Sequence, residues 1–83
     1  MSVAELIAQI PKGYSEVMIN GRRYGVSRSD FNAGSSLKVY AEELGGNDFI
    51  SFNYYQTSRE ALLKPCEMPQ QKVIEFLHNM QPC

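Results

Sequence analysis

The chain has 83 residues, 43% of them hydrophobic and 20% charged, the composition of one small globular domain and not of a disordered segment. Its formal net charge of −1 offers none of the basic surplus with which dedicated nucleic-acid binders neutralise phosphate. No apolar run reaches the ~20 residues that span a bilayer, and two cysteines are too few for a disulfide framework.

The opening "MSVAELIAQIPKGYSE" has an acid in its first turn and no basic leader segment, so a soluble cytoplasmic protein is expected. Ser2 and Glu5 form a Ser-x-x-Glu capping box. Val3, Leu6, Ile7 and Ile10 follow at helical spacing, and Pro11 and Gly13 end the helix. "SEVMINGRRYGVSRS" then predicts a β-hairpin. Asn20-Gly21 is the dipeptide that accepts positive φ at both turn positions, with Val17 and Ile19 alternating before it and Tyr24 and Val26 after it. Gly25, inside the second strand, signals a bulge or the close approach of another group.

"SDFNAGSS" reads as a loop. In "SSLKVYAEELGG", Leu37, Val39 and Ala41 alternate as a strand would. Leu37, Tyr40, Ala41 and Leu44 equally fit i, i+3, i+4, i+7, with Ser36 as a cap and Gly45 as a terminator, and these end signals predict a helix over 36–44. The next strand covers about Asp48 to Tyr55. "QTSRE" is a turn, and "ALLKPC" is a short fourth strand that Pro65 places at an edge. Pro69 opens a last helix with Val73, Ile74, Leu77 and Met80 as its apolar stripe, stopped by Pro82. The resulting order, α-β-β-α-β-β-α, predicts one α+β domain over 1–83: a four-stranded antiparallel sheet with helices mainly on one face.

Chemistry-bearing residues are sparse. Cys66 precedes the last helix, where the helix dipole and Lys64 favour a thiolate while Glu67 opposes it. It is the one candidate catalytic residue, although a half-buried structural thiol explains it as well. His78, the lone histidine, lies too far along the last helix to pair with it. Ser35 and Lys38 spell Ser-x-x-Lys without the companion motifs of an acyl-transfer site. No metal-ligand spacing and no phosphate-binding loop is present, so neither metal nor cofactor is expected. Arg22, Arg23, Arg28 and Lys38, with Tyr24 and Tyr40, make the best basic-aromatic set, centred on Arg22, Arg23 and Tyr24 in the hairpin.

The strand "NDFISFNYY" carries large residues at both parities. Ile50, Phe52 and Tyr54 share one side; Phe49, Ser51, Asn53 and Tyr55 share the other. With helices over the first set, the second becomes an aromatic, small-gapped face suited to docking a protein, a second copy included.

"YGVSRSDFNAGSSLKVYAEELGGNDFISFNYY" and "LLKPCEMP" resemble a family of short bacterial proteins, some of them labelled peptide methionine sulfoxide reductase. That resemblance implies thiol chemistry at Cys66 with Cys83 as resolving partner. The chain lacks the Gly-Cys-Phe-Trp nucleophile motif of the better-known reductases and has no tryptophan. The residues themselves favour a non-enzymatic interaction module acting through Phe49, Ser51, Asn53 and Tyr55. The alternatives are a thiol-dependent redox protein using Cys66 and a nucleic-acid binder using the Arg22-Arg23 hairpin.

Overall fold

Ser2 Oγ accepts the Glu5 amide at 3.1 Å, and the Glu5 carboxylate accepts the Ser2 amide at 3.0 Å, so the first helix starts at its capping box. A computed structural model describes residues 1–83 and runs this helix, α1, over Val3–Ala8. The hairpin follows as β1 (Gly13–Ile19) and β2 (Arg22–Phe31). Its turn residues Asn20 and Gly21 have φ of 51° and 80°, the doubly left-handed geometry whose twist matches that of the flanking strands. A 3-10 turn at Asn32–Gly34 leads into β3 (Ser36–Glu43), β4 (Phe49–Gln56) and β5 (Ala61–Pro65). Helix α2 (Gln70–Asn79) and the two-residue β6 (Gln81–Pro82) complete the chain.

Two expectations are corrected here. Within 36–44, Ser36–Glu43 is a strand and not a helix, leaving two helices in the chain, and the sheet has six antiparallel strands, not four, in the order β5-β4-β3-β2-β1-β6. β3 lies between β2 and β4, and burial chooses between its two periodicities. As a strand it turns Leu37, Val39 and Ala41 into the core, at 8%, 0% and 0% exposure, and leaves Lys38, Tyr40 and Glu42 outside. The sixth strand arises because Met80 leaves the helix in an extended conformation, φ −68° and ψ 141°. Gln81 and Pro82 then pair with Met18 and Val17, and the Cys83 amide donates to the Glu16 carbonyl at 3.3 Å. Proline is tolerated there because β6 is an edge strand.

Both helices pack on the same face of the sheet. Leu6, Ile7 and Ile10, with Val73, Phe76 and Leu77 of α2, cover the inward side chains of β1 to β4, and these groups make one continuous apolar core. Arg28 also lies on this covered side. Its guanidinium donates to the Ile10 carbonyl at 2.6 Å and to both Asp30 carboxylate oxygens at 2.9 and 3.1 Å, tying the end of α1 to β2. That pairing holds the Asp30 carboxyl below its usual range. No helix is long and apolar enough to cross a membrane.

Candidate functional site: the uncovered sheet face

Strand parity assigns every outward side chain to the face opposite the helices. The cross-strand register lines these side chains up in rungs. One rung reads Glu16, Gly25, Glu42, Phe49; the next carries Ser27, Tyr40 and Ser51. A third runs Ser29, Lys38, Asn53, Lys64, and the last ends in Tyr55 and Leu62. Both helices pack on the other side of the sheet, so neither covers this surface. Tyr14, Phe31, Tyr40, Tyr55 and Leu62 are all exposed, at 62%, 52%, 41%, 37% and 38%. So many large side chains open to water on one face of an 83-residue domain make this face the candidate site.

The four predicted binding residues come together on β4. Phe49 is half-buried and stacks on Tyr40, with ring centroids 6.3 Å apart and planes inclined 27°. Ser51, opposite Tyr40, is a small buried gap. Asn53 is half-buried, and its Nδ2 donates to Cys66 Sγ at 3.8 Å. Tyr55 is exposed. Across the sheet the Tyr14 ring lies over Gly25: a Cβ there would meet the Tyr14 hydroxyl at 2.6 Å, which is the close approach the glycine signals.

The hairpin set does not converge. Arg22 and Arg23 point to opposite faces, as neighbours on a strand must, and each meets a carboxylate: Arg22 with Glu43 at 3.7 Å, Arg23 with Glu16 at 3.5 Å. Tyr24 is buried and offers no ring for stacking. Arg28 is committed to Ile10 and Asp30 beneath the helices. The lysines of the open face, Lys38 and Lys64, form no ion pair within the chain.

Cys66 follows β5, its amide donating to the Ser51 carbonyl at 2.9 Å. Cys83 follows β6 at the other edge of the sheet. Five strand spacings of about 4.8 Å put the two cysteines roughly 24 Å apart, whereas a disulfide needs Cα atoms within about 7 Å. A Cys66–Cys83 resolving pair inside one chain is therefore excluded. His78 is exposed on α2, and no three His, Cys, Asp or Glu side chains gather as metal ligands would.

One constellation escapes sequence reading because its members are far apart in the chain. Tyr24 Oη donates to Asp48 Oδ2 at 2.7 Å, and Lys72 Nζ contacts Asp48 Oδ1 at 2.7 Å. These residues line a surface cleft of about 650 Å³ where α2 meets the β1–β2 turn. The Lys72 ammonium also stands 5.8 Å from the centre of the Phe49 ring, so this clasp steadies an aromatic of the open face. Lys72 first, then Tyr24, holds the Asp48 carboxyl below its usual range. Burial, reinforced by the bond to Asp48, pushes the Tyr24 phenol from 10.0 to about 12.

The folded state thus keeps a phenolic proton that the unfolded chain releases, and the associated stability is intact below pH 10 and lost as pH rises towards 12. Ultraviolet titration should show a phenol ionising near pH 12, and Tyr24→Phe should remove it together with the loss of stability over that interval. Loss of all tyrosine protons near pH 10 in the folded protein would refute the clasp.

No protein-family model matches the chain, and comparison with curated proteins and with solved structures finds no match to either.

Proposed function

We propose that the protein is a non-enzymatic interaction module that associates with a second copy of itself through the uncovered sheet face. The observation that carries this reading is a six-stranded sheet with both helices on one side and five exposed large apolar or aromatic side chains on the other. Strands β1 to β4 run seven to ten residues. At about 3.3 Å per residue along these strands and 4.8 Å between neighbours across all six, the face measures on the order of 24 by 28 Å, roughly 670 Å², somewhat below the ~800 Å² that each partner of a standard interface buries. A net charge of −1 sets up little repulsion between copies.

Sedimentation velocity over a concentration series tests it. The wild-type chain should sediment as a concentration-dependent dimer, and the double variant Phe49→Ser/Tyr55→Ser as a monomer. Each of these residues stands at the surface or only half-buried, so the variant should lose no more than about 1–2 kcal/mol of folding stability. A wild-type chain that stays monomeric at every concentration ends the proposal.

A further inference from the structure

We infer that the dimer is two-fold symmetric about Tyr40, with Lys38 of each copy opposite Glu42 of the other; this rests on the self-association proposed above and fixes its register. β3 is the third strand from one edge of the sheet and the fourth from the other. Its outward residues read Lys38, Tyr40, Glu42, a cation and an anion on either side of an aromatic ring. Both charges are exposed, and neither meets an opposite charge within the chain. The other acid on this face, Glu16, already meets Arg23. Lys38 and Glu42 are thus the strand's uncompensated charges, each about 6.6 Å from Tyr40 along the strand.

Face-to-face packing of identical sheets requires a two-fold axis lying in the interface, where each contact occurs twice. An axis parallel to β3 would set Lys38 against its own copy and Glu42 against its own copy. An axis perpendicular to β3 through Tyr40 sets Lys38 against Glu42 on both sides and brings the two Tyr40 rings together, each stacked on its own Phe49. The charge pattern therefore selects the second arrangement. Distances allow it. Sheets stack about 10 Å apart, within the combined reach of lysine and glutamate side chains, and the usual crossing of about 30° displaces residues this near the axis by only ~3 Å. Small, exposed Ser27, beside Tyr40 on the same rung, leaves room for the partner's rings.

Charge reversal tests the register without touching the core. Lys38→Glu alone and Glu42→Lys alone each turn two attractions into two repulsions, and each should weaken dimerisation on the order of tenfold or more, with unchanged circular dichroism. An equimolar mixture of the two single variants should recover dimer, because the Lys38→Glu chain then presents only acids to a chain presenting only bases. The double variant Lys38→Glu/Glu42→Lys should self-associate within about threefold of wild type, since swapping both charges preserves the pattern. If wild type dimerises and Phe49→Ser/Tyr55→Ser abolishes the dimer while both reversals leave it intact, the register is wrong and the face reading stands. If wild type is monomeric throughout, both fail. Salt-sensitive binding of single-stranded RNA by a monomer would assign the Lys38–Asn53–Lys64 rung to phosphate instead, and would overturn the inference too.

Discussion

Phe52→Ala is expected to cost the domain about 3–5 kcal/mol of folding stability. Phe52 is 0% exposed, in register between Val39 of β3 and Pro65 of β5. Truncating a buried phenylalanine costs about 3–5 kcal/mol, the lost transfer energy plus the cavity left behind. Domains of this size hold roughly 0.05–0.15 kcal/mol per residue, about 4–12 kcal/mol in all, so that loss is a large share of the total. Urea denaturation followed by circular dichroism should show a fall of at least about 3 kcal/mol. Leu62→Ala, at an exposed position on the uncovered face, should change stability by less than about 1 kcal/mol. Equal effects at the two positions would mean that the two faces have been assigned wrongly.

Ala41→Glu and Tyr40→Glu should behave as opposites although the residues are adjacent. Ala41 is 0% exposed and points into the core, so glutamate there places a carboxylate among apolar side chains at a penalty of several kcal/mol. Tyr40 is 41% exposed on the far face, so in the single chain a glutamate there remains in water, and the cost falls on self-association and not on the fold. Ala41→Glu should therefore be found unfolded, or its glutamate protonated well above the usual carboxylate range, while Tyr40→Glu melts within a few degrees of wild type. A helix over 36–44 would put both residues on one apolar stripe and make both changes damaging, so the pair separates the two periodicities directly.

That ambiguity explains how far the fold can be read from residues. Local signals fared well: the Ser2–Glu5 box, the Asn20-Gly21 turn and the Pro69 start of α2 all act through neighbouring backbone and need no tertiary partner. β3 was not legible because Ser36 and Gly45 satisfy two grammars. Gly45 does adopt positive φ, 82°, but in the turn that joins β3 to β4. Ser36 Oγ accepts from Asn32 Nδ2 at 3.0 Å and caps no helix. β6 has two residues and exists only because β1 is there to receive it.

The site followed the same division. Phe49, Ser51, Asn53 and Tyr55 were legible from parity within one strand. Lys38 and Tyr40 were legible only as members of a basic-aromatic set; the helical reading hid their place with Glu42 on the uncovered face, because a helix makes Lys38 and Glu42 an i,i+4 pair and not two charges flanking a ring. The clasp of Tyr24, Asp48 and Lys72 joins three separate elements, and no local pattern announces it.

The order of the strands has a consequence for assembly. From β1 to β5 every strand bonds to its successor, so the sheet can zip up hairpin by hairpin with little loop entropy lost at each step. Among the strand ladders, β1–β6 alone joins the two ends of the chain, and it has a mere two paired residues. It belongs among the last contacts to form and the first to breathe. Each opening bares the rim of β1 as a template that another strand can occupy.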